Sequence, residues 1–315
     1  MTTDSTGHTA GDPPRICVLL NAGSGKNDAE RARAQIERAF DEARQPAEIR
    51  LLTKGSQIES GARGALGDGF DIIVAAGGDG TIAGIAGFLR GSGAAMGIIP
   101  LGTFNYFARS LDIPQDIAGA THLITAGAPR AVRVGTINGR TFLNNASLGA
   151  YPAILRTREE TYRKWGRSRI AAYWSVLVTL ATLRRPLRLT IDADGQQSTH
   201  RTPLAFAINN AFQLEQMGLE GKEIIEKGQL ALFVSPDTGR WGMLKSAAAL
   251  AVGRAQRDVE FHLIAGNRIT IEAHRSTSDV ACDGERARMH APFRLEAIPD
   301  ELTVIVPAAR QDGTR

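Results

Sequence analysis

The apolar positions follow two rhythms along the chain. Between 15 and 100, short apolar runs alternate with longer stretches whose apolar residues recur every three or four positions. RICVLLN (15–21) and DIIVAA (71–76) read as strands, with 48–52 and 96–100 as two more. The stretch 28–43 carries Ile36, Ala39, Phe40 and Ala43 at helical spacing, and 57–66 and 82–90 read as further helices. Strands and helices alternating at this pitch predict a parallel sheet covered by helices on both faces.

The rhythm changes near 130. Segments 131–137, 141–147, 187–192, 204–210, 228–234, 259–264 and 268–273 read as strands, with turns at Asn138-Gly139, Asp194-Gly195 and Gly266-Asn267. Two helical stretches, 156–184 and 243–253, interrupt them. The expected organisation is an α/β domain over 13–130 and a mostly antiparallel β domain with helical insertions over 131–308. Flexible tails are expected at 1–12 and 309–315.

Composition narrows the class. With 43% hydrophobic residues, the 315-residue chain has enough apolar material for two cores. Only Cys17 and Cys282 are present, which argues against a disulfide framework and for a reducing compartment. The first dozen residues are small and polar, without the apolar core of a signal peptide. The longest apolar stretch, 170–183, is interrupted by Ser175 and Thr179 and is shorter than the roughly 20 residues a bilayer crossing needs. A cytoplasmic protein with peripheral membrane contact is expected.

Three glycine-rich turns each follow an apolar strand: NAGSGK (21–26), GGDGT (77–81) and PLGTFNYFAR (100–109). In a doubly wound sheet, turns at the carboxyl ends of strands meet in one crevice, where ligands bind. Glycine lets the backbone approach a phosphate, and the helix that follows offers unpaired N–H groups at the positive end of its dipole. NAGSGK fits neither the Walker spacing nor GxGxxG. In GGDGT, Asp79 brings a carboxylate and Thr81 a hydroxyl. A carboxylate beside a phosphate repels it unless a metal or a proton lies between, which makes Asp79 a candidate for Mg²⁺ handling or for positioning the nucleophile. Helix N-capping is the competing reading of Asp79.

GGDGT, PLGTFNYFAR and the later CDGE (282–285) together resemble the diacylglycerol kinase catalytic-domain family, which includes sphingosine kinases and bacterial soluble lipid kinases. The likeness runs from about 15 to 307. It implies a phosphofructokinase-like α/β domain followed by a β-sandwich, with the active site between them, and a kinase that moves the γ-phosphate of ATP to a lipid hydroxyl. It implies ATP contacts at Asn21, Gly23, Ser24, Gly25, Thr53, Gly77, Gly78, Asp79, Gly80, Thr81 and Thr103. It places Asn105 and Tyr106 at the acceptor substrate and Mg²⁺, arriving with ATP, at Asp79. Asp283, Glu285 and Asp79 are its candidate catalytic carboxylates, since the lipid hydroxyl must lose a proton as it attacks. Which of them is the base stays open.

Four positions depart from the family pattern. Ala22 stands where proline is usual, Tyr106 replaces an acid, and Ile82-Ala83-Gly84 replaces a polar run after GGDGT. Glu226-Lys227-Gly228 matches an Asp-Asp-Gly segment that holds a structural Mg²⁺ in bacterial relatives. An ammonium cannot ligate a hard cation, so that site is expected to be absent.

The segment 156–184 sets Arg163, Lys164, Arg167 and Arg169 beside Tyr162, Trp165, Tyr173 and Trp174. Basic and aromatic residues flanking an apolar stretch suit an anionic membrane surface, while packing on the β domain is the plainer alternative. The partners expected are a lipid substrate and that surface, and no nucleic acid; a homodimer stays open. The histidines lack metal-ligand spacing, and no Ser-His-Asp order with a nucleophile elbow is present. An NAD kinase shares GGDGT but leaves PLGTFNYFAR, CDGE and the basic aromatic segment unexplained. A non-catalytic lipid- or nucleotide-binding regulator of the same fold is the third reading.

Overall fold

The computed structural model describes residues 13–22, 26–149, 186–237, 239 and 261–308. The expected helices at 156–184 and 243–253, the expected ATP contacts Gly23, Ser24 and Gly25, and both tails lie outside the described residues. The chain forms two compact units, one built from the residues up to Val132 and from Asp300 onward, the other from Arg133 to Pro299.

In the first unit the elements run β1 (Ile16–Asn21), α1 (Lys26–Glu42), β2 (Ala47–Leu52), α2 (Gln57–Gly67), β3 (Ile72–Gly77), α3 (Asp79–Leu89), β4 (Ala95–Pro100), α4 (Tyr106–Ser110) and α5 (Ile117–Ala126). The strands lie parallel in the order β2-β1-β3-β4, and Val304 of the chain's last strand, Phe293–Val306, pairs with Met96 beyond β4. Ile16, Val18, Leu20, Ile72 and Val74 pack on Ile36 and Phe40 of α1 and on Ala120 and Ile124 of α5. The alternate residues Cys17, Leu19, Ile73 and Ala75 are equally buried, beneath α2 and α3. Burial on both faces explains why β1 and β3 are unbroken apolar runs instead of alternating ones.

In the second unit the elements are β5 (Ala128–Ile137), which starts just before it, β6 (Arg140–Phe142), β7 (Asn145–Gly149), β8 (Leu187–Ala193), β9 (Gln196–Thr202), β10 (Leu204–Ile208), α6 (Ala211–Gln216), α7 (Lys222–Glu226), β11 (Leu230–Val234), β12 (His262–Gly266), β13 (Arg268–Ala273), β14 (Thr277–Cys282), β15 (Glu285–His290) and the first half of β16 (Phe293–Val306). One antiparallel sheet has the order β12-β11-β10-β7-β14-β15; the other runs β16-β13-β8-β9, with β5 and β6 beside β16. Ala146, Ala207, Leu232 and Cys282 from the first meet Ile191, Ile269, Ile271 and Phe293 from the second in one buried core. This is a β-sandwich. Phe206, Ile208 and Phe233 point out of the opposite face of the first sheet and are met by Leu214, Leu219 and Ile225 from α6, α7 and their connection.

The expected strand at 141–147 is two strands, broken at Leu143 and Asn144. The helix expected from 82 begins at Asp79, so most of GGDGT is helical first turn. The helix α5 and the strands β9, β15 and β16 were not legible from apolar rhythm.

Candidate functional site

The ends of β1, β2, β3 and β4 line up at one edge of the parallel sheet. Asn21 pairs with Leu52, and Gly77 with Pro100, so the segments that follow all start together. Ala22 N–H donates to Leu52 O at 2.9 Å, extending the pairing one residue into NAGSGK. Asn21 Nδ2 donates to the hydroxyl of Thr81 at 2.6 Å, tying the first turn to GGDGT. Thr53 stands at the same edge, where its N–H and hydroxyl both donate to Gln57 Oε1, at 2.7 and 3.0 Å.

GGDGT and the turn after β4 meet backbone to backbone. A Cβ on Gly102 would lie 2.7 Å from Gly78 Cα, closer than real side chains approach. A Cβ on Gly77 would lie 2.7 Å from Thr81 Oγ1. A side chain at Gly102 would push the two turns apart, and one at Gly77 would displace Thr81 within GGDGT. Gly78 is the N-cap of α3 in extended conformation and makes no side-chain cap, while Asp79 occupies the first helical position. That excludes the N-cap reading of Asp79. Helix α3 therefore presents N–H groups of its first turn and the positive end of its dipole at this edge, with the Asp79 carboxylate among them. Asp79 Oδ1 takes a long contact of 3.4 Å from Phe107 N–H.

Asn105, expected at the acceptor substrate, is 4% exposed and in the left-handed region at φ 49°. Its Oδ1 accepts from Gly102 N–H at 3.0 Å, and its Nδ2 donates to Gly102 O at 3.0 Å and to Gln115 Oε1 at 3.1 Å. Asn105 shapes the turn from inside. Tyr106 is half-buried and stacks on the exposed Phe104 ring, centroids 5.4 Å apart. Thr103 is exposed on the same turn.

In the second unit, Asp283 and Gly284 form the turn between β14 and β15, with Asp283 at φ 47°. The Asp283 carboxylate is gripped by the broken segment between β6 and β7. Oδ2 accepts from Leu143 N–H at 2.7 Å, and Oδ1 accepts from Asn144 N–H at 2.8 Å and Asn145 N–H at 3.0 Å. Glu285 is different: its side chain is 53% exposed, and its Oε2 accepts from Arg140 Nη2 at 3.1 Å. Burial pushes the neighbouring Cys282 thiol up to about 12, so it stays protonated and inert.

Behind the Asp283 turn lies a buried amide network that sequence reasoning missed. Asn210 Nδ2 donates to Asn144 Oδ1 at 2.7 Å, and Asn145 Nδ2 to Gln213 Oε1 at 2.9 Å. Asn209 donates through Nδ2 to Leu143 O at 3.1 Å and through its N–H to Asn144 O at 2.9 Å. Arg133 grips Asn209 in turn. Nε donates to Oδ1 at 3.0 Å, Nη2 to the main-chain O at 3.1 Å, and Nη1 to Ile225 O at 2.7 Å. The sequence did carry a trace of this: Asn-Asn-Ala occurs at 144–146 and again at 209–211, each time beside a buried apolar strand.

Two family models match the chain. The diacylglycerol kinase catalytic domain matches residues 15–137, and the YegS C-terminal NAD kinase beta sandwich-like domain matches 151–306. Between them the two matches cover most of the chain from 15 to 306. It is 32% identical to a diacylglycerol kinase of Bacillus subtilis over 58% of this chain and 60% of that protein. To a probable lipid kinase YegS-like protein of Pseudomonas aeruginosa it is 34% identical, over 49% of this chain and 50% of that one. The chain thus spans about half the length of the curated relatives it matches. In fold, it superimposes on the crystal structure of a diacylglycerol kinase from Bacillus anthracis with a TM-score of 0.69, at 23% identity, covering 94% of this chain and 98% of that one.

The residues present fit the nucleotide donor that a likeness to kinases implies. A strand edge with two glycine turns in backbone contact and an uncapped helix N-terminus suits a polyphosphate. Mg²⁺ that travels with phosphates needs only one or two protein carboxylates, and Asp79 supplies one. Among the described residues no group of three or more His, Cys, Asp or Glu is placed to hold a resident metal. At 226–228, Glu226 lies 3.8 Å from Lys222 Nζ, and Lys227 caps the end of α7. No helix among the described residues is long and apolar enough to cross a membrane.

Proposed function

We propose that this protein transfers the γ-phosphate of ATP to the hydroxyl of a lipid alcohol. The reading rests above all on the convergence of Asn21, GGDGT and the Gly102 turn at one sheet edge. The Gly78–Gly102 approach sets two turns backbone to backbone, and the bond from Asn21 to Thr81 ties the end of β1 to them. In this reading the phosphates rest on the first turn of α3, and Asp79 holds the Mg²⁺ that arrives with them. That ion would neutralise charge building on the transferring phosphoryl oxygens.

The three candidate carboxylates take different roles. Asp283 has its oxygens committed to three main-chain donors, so it positions the turn and is a poor proton acceptor. The acceptor hydroxyl gives its proton to Glu285, which is exposed and paired with Arg140, or to Asp79 beside the phosphates. The basic aromatic segment 156–184 meets the lipid surface. Names of relatives make diacylglycerol the first acceptor to try, with sphingoid bases and other lipid alcohols beside it.

The test is incubation with labelled ATP, Mg²⁺ and a panel of lipid alcohols in mixed micelles. Label in a lipid product is the expected outcome. Label in NAD alone would replace the reading with an NAD kinase, and ATP binding without any transfer would replace it with a regulator.

A further inference from the structure

We propose that Arg133 is a positioning residue for the acidic turn, acting through the side-chain amide of Asn209. The inference rests on the reading of the Asp283 turn as part of a lipid kinase site. The guanidinium takes both Oδ1 and the main-chain O of Asn209 in one fork. A donor facing Oδ1 leaves the amide only one orientation, with Nδ2 toward Leu143 O. The Asn209 N–H holds the next carbonyl, that of Asn144. Leu143 and Asn144 are thereby fixed from their carbonyl side. From their N–H side they hold the Asp283 carboxylate.

Arg133 meets only uncharged acceptors among the described residues. Burial depresses its pKa, which is the signature of a cation held without an ionic partner. Such a group is expensive to bury, and a methionine of similar volume would remove that cost while leaving the Asn209 and Ile225 acceptors without this donor. A purely structural role then shows in stability alone, whereas a positioning role also shows in turnover, because the fork orients Asn209.

Two variants separate these roles. Asn209→Asp gives Arg133 a carboxylate partner, so the fold is retained, but it sets an oxygen against Leu143 O where a donor is needed. Arg133→Met removes the buried charge and releases the Asn209 amide to turn over. For both, buried acceptors lose or misplace a donor, so the thermal midpoint should fall by a few degrees while unfolding stays cooperative. kcat for lipid phosphorylation should fall about 10–100-fold with KM for ATP unchanged, the scale on which small misplacements act. Amide hydrogen exchange at Leu143, Asn144 and Asn145 should quicken about 10-fold or more. Parent-like kcat, or parent-like protection of those three amides in either variant, overturns the proposal. A parent protein that phosphorylates no lipid sinks the kinase reading instead, and the exchange measurement then decides the positioning role alone.

Discussion

Asp283 offers the sharpest stability test. Replacing it by alanine removes three bonds from main-chain N–H groups to a carboxylate. Bonds to charged groups contribute about 1.5–3 kcal/mol each, so an upper bound is several kcal/mol. The residue is only half-buried, and water reaching the freed N–H groups recovers about half of that. The expected loss for Asp283→Ala is about 3–4 kcal/mol, a drop of roughly 6–16 °C in thermal midpoint for a unit of this size. Asp283 also sits at φ 47°, where alanine is strained and glycine is not. Asp283→Gly should therefore be about 1 kcal/mol less damaging than Asp283→Ala, although it removes at least as much side chain. Asp283→Asn should be milder still, since its oxygen can keep the two bonds made by Oδ1 while its NH₂ faces Leu143 N–H. Urea unfolding followed by far-ultraviolet circular dichroism gives the order. An alanine variant within about 0.5 kcal/mol of the parent, or a glycine variant less stable than the alanine one, refutes the carboxylate clamp.

Three further outcomes follow from the same geometry. Gly102→Ala drives a Cβ into Gly78 Cα and should weaken ATP binding at least about 10-fold by calorimetry, with parent-like affinity counting against phosphate binding at these turns. Asp79→Ala and Glu285→Ala should each lower lipid phosphorylation by at least about 10²-fold. The variant whose pH–rate profile loses its acid limb marks the proton acceptor, and near-normal turnover removes that residue from the mechanism. The pKa of His200 is lowered, by burial first and by the nearby His262 second, so the unfolded chain binds its proton more readily than the folded one. Stability from this group is present above about pH 6.5, the ordinary histidine value, and is lost as pH falls toward the depressed folded value. His200→Gln should flatten that acid slope in unfolding curves, and an unchanged slope would exclude His200 as its source.

The α/β unit was legible because its strands are buried on both faces, so apolar runs mark them directly. RICVLLN and DIIVAA correspond to β1 and β3 within a residue at each end. The sandwich was less legible at its margins. β9, QQSTHRT, ends a sheet and carries almost no apolar residues, and β15, ERARMH, ends the other. An edge strand with solvent on one side has no rhythm to detect. The glycine turns announced themselves because glycine is a local requirement. The partners of Asn105 were not legible in the same way: its amide closes bonds onto Gly102, three residues away, and Gln115. Arg133, Asn144, Asn209 and Asn210 were invisible one by one, because each is defined by partners 60 or more positions distant or by a partner's partner.

The two units thus solve one problem by different means. A site for a charged, polar reaction needs polar groups held still, and water must not compete with the bonds that hold them. The first unit uses main chain: glycines remove side chains so that backbone and helix end do the work, and few side chains are needed. The second unit has to aim side chains from an irregular turn, and irregular backbone leaves N–H and C=O groups unmatched. Its answer is to bury asparagines and an arginine against those groups, where each amide satisfies a donor and an acceptor together. Such a network tolerates little substitution, because a half-satisfied buried amide costs more than none. The consequence is asymmetric robustness. Nucleotide binding should survive most side-chain changes outside the glycines, while the acidic turn should respond to changes several residues removed from any carboxylate.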